Sequence, residues 1–412
     1  MLRPFLLVRF ASPRALLLGV LFRGVLLGVL PGCQAQTTDD APAEADPADA
    51  DADVDARCVL CDGVCTDLTK DPRHCGACTN DCGPTVSCVA GRCESTATDL
   101  SADLSDLGGR VTRLCDETPP IGAPQAPPPP AYSGRCPRLV PGKNTIVSSG
   151  VSRSFLLAVP TAVAPGEKLP LVFMWHWLGG SAESFYKKGE VQNAVNGQRF
   201  LAILPEAKGD IVWKWPFDVF VKPARQQEEY RFFDDMLACA SEQFQVNRNC
   251  VSSVGVSAGA LFTSQLAAGR NQFLASALSL SGGVGGFAKP WGRPSRKLPM
   301  LVLWGGSKDQ CLGLVNFQTT SKALEAELVK DGHFLLECVH NCGHAEPPLD
   351  AVGALTKYAA FWDFVFAHPY WLGKGESPYK TSGLPTNFPA WCGLGAGSAT
   401  PRTGICTEKP GC

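Results

Sequence analysis

The chain has 412 residues, 45% of them hydrophobic and 18% charged, with a formal net charge of −2. That is enough for one large domain or two smaller ones, and it lacks the basic patches and basic–aromatic runs that a nucleic-acid partner requires. Its 19 cysteines exclude an ordinary reduced cytosolic chain and point to an exported one that pairs its thiols.

At the N-terminus, Arg3, Arg9 and Arg14 precede ALLLGVLFRGVLLGVLPGC, an apolar run broken by Arg23. Its pieces are too short for a membrane span, so residues 1–35 are expected to be an export signal. Leu30-Pro31-Gly32-Cys33 resembles a bacterial lipobox, which would make Cys33 a lipidated residue and anchor the protein at the outer membrane. Cleavage after Ala35 is the alternative, and the product would then be extracellular. A membrane is expected as a partner only through that lipid. Residues 36–57 are acidic, rich in alanine and proline, and free of aromatics. Such a segment cannot bury enough apolar surface to offset its chain entropy, so a disordered spacer is expected.

Eight cysteines, Cys58 to Cys93, then crowd into residues 58–93. C-x-x-C occurs twice, which suits zinc, but His74 is the only histidine nearby and the compartment is oxidising. Disulfides are the expected outcome. The segment CDGVCTDLTKDPRHCGACTNDC resembles the small cysteine-rich modules of secreted bacterial proteins, with no catalytic role implied. Residues 94–135 contain TPPIGAPQAPPPPAYSG and read as an extended linker.

From residue 136 to 370 the pattern changes. Apolar runs at 154–159, 170–175, 200–204, 251–256, 276–281 and 299–304 read as strands, with a further run at 334–339. Helical stretches lie at 181–196, 224–244, 258–269, 317–331 and 352–366. This alternation predicts an α/β domain with a mainly parallel sheet, whose reactive groups gather at the carboxyl ends of the strands.

Three of those strand ends carry candidate chemistry. Gly255-Val256-Ser257-Ala258-Gly259 joins a strand to a helix and fits the turn that exposes a nucleophilic serine. Asp309 follows the strand 299–304, and His344 follows 334–339. The order Ser, Asp, His suits a serine that attacks, a histidine that takes its proton, and an aspartate that orients the histidine. Asp331 and Asp350 compete for the acid's role, and His333 and His340 for the base's. His176 reads as a structural loop residue, and Asp234 and Asp235 as a polar stretch of a helix whose other face is buried. The Leu178 N–H, in the loop after the strand 170–175, and the Ala258 N–H, beside Ser257, are expected to receive a developing oxyanion.

Together HWLGGSAESF, FFDD, GVSAGA, WGGSKD and CGHAEPP resemble the secreted α/β-hydrolase esterases grouped with poly(3-hydroxybutyrate) depolymerases, feruloyl esterases and acetylxylan esterases. The resemblance implies an α/β-hydrolase fold, a mainly parallel sheet flanked by helices behind a small disulfide-rich segment. It also implies a serine esterase with no metal or organic cofactor, acting on an ester that is small or polymeric. A serine peptidase of the same fold and an inactive surface binding protein are the rival readings. Trp177 stands where the family has glycine, and its bulk is expected to narrow the acyl side of the cleft or to shift the loop. Trp213 and Trp215 are expected to line the cleft with it. Cys239 and Cys250 bracket a helix end and a strand start and are expected to pair. A bridge is expected among Cys311, Cys338 and Cys342, and disulfides are expected to pin the tail, residues 371–412.

Overall fold

The computed structural model describes residues 59–61, 64–82, 87–94 and 112–412. The export signal, Cys33, the acidic spacer and Cys58 lie outside the described residues. In the cysteine-rich segment, β1 (Val59–Cys61) pairs with β2 (Val64–Thr66) and β3 (Ser87–Val89) with β4 (Arg92–Glu94), each pair antiparallel. Three interleaved disulfides, Cys61–Cys78, Cys75–Cys88 and Cys82–Cys93, replace the core that so short a segment cannot build. The sulfurs of Cys75, Cys82 and Cys93 cluster within 4.8 Å of one another, yet each is bonded to another sulfur and offers a metal no thiolate.

The large domain is built on one sheet. Its strands are β5 (Gly142–Ser148), β6 (Val151–Ala158), β7 (Leu169–Trp175), β8 (Leu201–Pro205), β9 (Val246–Val256), β10 (Ser276–Leu280), β11 (Met300–Trp304), β14 (Leu335–Val339) and β15 (Cys392–Leu394). The spatial order is β15-β14-β11-β10-β9-β7-β8-β6-β5. From β14 through β8 the pairing is parallel, and antiparallel strands close both edges. Between β11 and β14 a short hairpin, β12 (Gln310–Cys311) with β13 (Val315–Asn316), stands apart from the sheet.

Every residue of β7, β8, β10, β11 and β14 is buried, as strands covered on both faces must be. Along β7, Leu171, Phe173 and Trp175 enter one core with Phe232, Phe233 and Met236, while Val172 and Met174 enter the other with Val195, Phe361 and Phe364. The helices are α1 (Ala182–Lys188), α2 (Val191–Gln198), α3 (Pro223–Gln243), α4 (Ala258–Gly269), α5 (Phe317–Asp331), α6 (Ala359–Ala367) and the short α7 (Tyr379–Ser382). The single helix expected over 181–196 is broken at Glu190, which takes φ +49. The helix expected over 352–366 starts only at Ala359, because Gly353 takes φ +59 in the loop before it.

Several expectations are corrected. Of the extended linker expected over residues 94–135, the stretch 112–135 is tied to the domain as a strap. Cys115 bonds to Cys250, and the Ala126 N–H donates to Asn249 Oδ1 at 2.9 Å. Cys239 bonds to Cys136, so the expected Cys239–Cys250 pair does not exist. Cys311, Cys338 and Cys342 reach instead to Cys412, Cys392 and Cys406, and each bridge ties the tail to the domain. Asp234 and Asp235 are no exposed polar stretch, since both are buried. Asp234 is held by the Arg270 guanidinium at 2.8 Å, and burial pushes both carboxyls upward. The disulfides belong to a chain that matures in an oxidising compartment. Among the described residues no helix is long and apolar enough to cross a membrane.

A second buried acid pair gives the fold a pH dependence. Glu325 on α5 accepts from Trp304 Nε1 at 3.1 Å, and Glu337 on β14 accepts from the Ala399 N–H at 3.0 Å. Burial, reinforced by the charge of Glu337, pushes the Glu325 carboxyl up to about 8 from 4.5. The folded chain keeps a proton there that the unfolded chain gives up. That stabilisation is complete below about pH 4.5 and is lost as pH rises toward about 8. In Glu325→Gln the loss is expected to disappear. Urea midpoints at about pH 5 and about pH 8 should show the variant gaining on the parent at the higher pH, and equal slopes would contradict the assignment.

Candidate active site

The loop between β9 and α4 positions the serine. Ser257 takes φ +55 and ψ −117, a conformation that L residues avoid, and its N–H donates to the Leu280 carbonyl at 2.9 Å. The flanking glycines make the turn possible. A Cβ on Gly255 would meet the Gly259 carbonyl oxygen at 2.1 Å, and one on Gly259 would meet the Trp175 carbonyl oxygen at 2.0 Å. The helix thus starts against the sheet with no room for a methyl group.

His344 arrives from the loop after β14. Its Nε2 is 2.9 Å from Ser257 Oγ and its Nδ1 is 2.7 Å from Asp309 Oδ1. A buried carboxylate opposite Nδ1 places the ring proton on that nitrogen, which leaves the Nε2 lone pair for the serine hydroxyl. Asp309 is fully buried and well supplied with donors. Its Oδ2 accepts from the Gly305 N–H at 2.7 Å and from Ser281 Oγ at 2.8 Å. The two loops also grip each other, with the Gly343 N–H donating to the Gly305 carbonyl at 2.7 Å. A Cβ on Gly305 would lie 1.8 Å from the Gly343 carbonyl oxygen, so glycine is required there as well.

The rival residues take no part in these contacts. Asp331 accepts from Trp291 Nε1 at the far end of α5, and Asp350 is exposed. His333 Nδ1 lies 3.1 Å from the Leu298 N–H. His340 is buried beside Trp391, and burial pushes its ring down to about 4, so it stays neutral.

On the other side of Ser257 runs the loop after β7. The Gly180 N–H closes a turn on the Trp177 carbonyl at 3.0 Å with Gly179 at φ +77. Ser181 then caps α1, accepting from the Ser184 N–H at 3.1 Å while its own N–H donates to Ser184 Oγ at 2.7 Å. Glu206 anchors the loop, accepting from the Ala182 N–H at 2.9 Å and lying 3.3 Å from His176 Nε2. His176 is therefore a loop support, as its sequence position suggested. Neither the Leu178 nor the Ala258 N–H finds an acceptor among the described residues.

The aromatic residues divide. Trp215 is corrected from cleft wall to core. It is fully buried, wedged against Trp175 and Phe262, and its Nε1 donates to the His176 carbonyl at 2.7 Å. Trp213 stays partly exposed and packs on Phe287 with ring centres 5.1 Å apart. Trp177 folds its indole back over Gly180, where a Cβ would come within 2.8 Å of the ring, and against Phe185 at 6.1 Å.

Solved structures share this architecture. Native pOPH matches with a TM-score of 0.51 at 16% identity, covering 67% of this chain and 98% of that one. Native sOPH matches with a TM-score of 0.50 at 17% identity, covering 65% and 97%. This is the α/β-hydrolase fold. A ferulic acid esterase also matches, with a TM-score of 0.39 at 14% identity, covering 49% of this chain and 90% of that one. Residues 33–96 match the Stigma-specific STIG1-like protein family, so that likeness is confined to the part of the chain before the large domain. No curated protein matches the chain.

Sequence reasoning passed over three contributors to this candidate site. Ser281 and the Gly305 N–H hold the Asp309 carboxylate, and Phe317 lies flat against His344. Gly305 lies inside a recognised motif, whereas Ser281 and Phe317 read as the end of a strand and the start of a helix.

Proposed function

We propose that the hydrolase domain is a serine carboxylic ester hydrolase acting through an acyl-Ser257 intermediate. The observation that carries this reading is the chain of contacts from Ser257 Oγ to His344 Nε2 and from His344 Nδ1 to Asp309. As Ser257 Oγ bonds to the ester carbonyl carbon, its proton passes to His344 Nε2, and Asp309 stabilises the imidazolium. The carbonyl oxygen takes up the negative charge and receives the Leu178 and Ala258 N–H groups. Each such donor is worth about 2.7–4 kcal/mol of transition-state stabilisation. Collapse breaks the bond to the leaving alcohol, which takes the proton from His344. Water then repeats the sequence in reverse and frees Ser257 with a carboxylic acid. Trp213, exposed on one face beside Phe287, is proposed as part of the cleft wall.

The test is hydrolysis of p-nitrophenyl acetate and butyrate against an aminoacyl anilide by the purified protein. Ester turnover with an idle anilide supports the reading. Preferred anilide cleavage would move the protein to the peptidases, and inertness toward both would leave a binding protein.

The position of Trp177 changes what its removal should do. An indole that covers Gly180 and Phe185 supports the loop carrying the Leu178 N–H rather than filling the acyl side of the cleft. Trp177→Gly is therefore expected to lower kcat on acetate and butyrate alike, by roughly ten- to a hundredfold, the usual effect of loosened positioning. A shift of the acetate-to-butyrate ratio toward butyrate, with kcat on acetate kept, would return Trp177 to the acyl pocket.

A further inference from the structure

We propose that Phe317 is a positioning residue for His344, holding the plane of its imidazole while protons move along its two nitrogens. The inference rests on the ester-hydrolase reading and adds to it a residue outside the motifs that led there. The two rings are nearly parallel, 9° apart, with centres at 4.3 Å. Phe317 is 2% exposed, so its ring has a fixed seat.

His344 needs such support. It lies on a loop with no helix or strand of its own, between Gly343 at φ +69 and Ala345. Its two hydrogen bonds, at Nδ1 and Nε2, lie on opposite sides of the ring. A ring held only at those points can still rock about the line joining them, and the torsion that controls its plane is intrinsically soft. A flat face at van der Waals distance removes that motion.

The residues 309–317 deliver both constraints as one unit. Asp309 supplies the carboxylate, the β12–β13 hairpin turns the chain back, and the Phe317 N–H donates to the Asp309 carbonyl at 2.8 Å. The carboxylate and the aromatic face are thereby fixed relative to each other before His344 docks against them. The contact also matches the chemistry, since an aromatic face attracts a cationic ring more than a neutral one. Imidazolium forms only once the serine proton has moved, so the attraction grows toward the transition state.

The experiment uses the full chain with p-nitrophenyl acetate and a fluorophosphonate probe, comparing Phe317→Leu, Phe317→Met and Phe317→Tyr. Leucine and methionine fill space without a flat face. Both are expected to lower kcat and the labelling rate by roughly ten- to a hundredfold while KM stays within about twofold. Tyrosine keeps the face and is expected to recover most of the loss. Folded leucine and methionine variants with wild-type kcat would overturn the proposal, as would a folded tyrosine variant as slow as leucine. If Phe317→Leu does not fold, Phe317→Met decides. Failure of both to fold would overturn the positioning role in favour of a purely structural one. A wild type inert toward the ester would defeat the ester-hydrolase reading itself, a result distinct from any of these.

Discussion

Ser257→Ala is expected to lower kcat for ester hydrolysis by on the order of 10⁶-fold and to abolish covalent labelling by a fluorophosphonate. The size follows from the geometry. Without Oγ, His344 Nε2 has no proton to accept, and the acyl group has nowhere to reside. Water would have to attack directly, with only the two N–H donors to help. The turn itself should survive, because its conformation is imposed by Gly255, Gly259 and the Ser257 N–H rather than by the hydroxyl. The variant should therefore unfold at the same urea concentration as the parent. Labelling that persists in it would remove Ser257 from the nucleophile's role.

Gly259→Ala is expected to be among the most damaging small substitutions to the fold. The added methyl would sit 2.0 Å from the Trp175 carbonyl oxygen and 2.8 Å from that of His176. Both are backbone atoms, one on the last residue of β7, so no side-chain rotation relieves the clash. Either α4 moves off the sheet or β7 shifts at the loop carrying Leu178. Overpacking usually costs about 1–3 kcal/mol, and a clash with fixed backbone belongs at or above the top of that range. Activity should fall further than stability does, since the same movement displaces Ser257 and the Ala258 N–H together. Urea unfolding with a parallel kcat measurement would check it. A variant as stable and as active as the parent would mean that the helix start has more room than its glycine suggests.

The parallel sheet was legible because its strands are buried on both faces and read as unbroken apolar runs such as LPLVFMW. The edges were less so. Strand β5, GKNTIVS, alternates exposed and buried residues and is half polar, and β15 holds only Cys392, Gly393 and Leu394. The candidate site residues were legible because each sits in a glycine-containing motif, and at Gly255, Gly259 and Gly305 the glycine allows a close backbone contact. Disulfide partners could not, because pairing depends on which loops meet. Cys115 finds Cys250 from a short turn ahead of the proline-rich run, a stretch that carries no period of its own. Trp215 was misplaced for a related reason. Its neighbours Trp213 and Phe217 give the same local signal, and only the fold decides that Trp215 turns inward while Trp213 stays at the surface. Phe317 shows the limit most clearly, since nothing local to the start of α5 indicates that His344 will lie against its ring.

The most direct measurement is peptide mass spectrometry on the full chain, quenched in acid during turnover of p-nitrophenyl acetate. The account predicts an acetyl group on the peptide containing Ser257, formed and lost at rates that match turnover. It also predicts no such adduct in Ser257→Ala. Turnover accompanied by an adduct on a different residue, or by none at any quench time while Ser257→Ala turns over as the parent does, would contradict it.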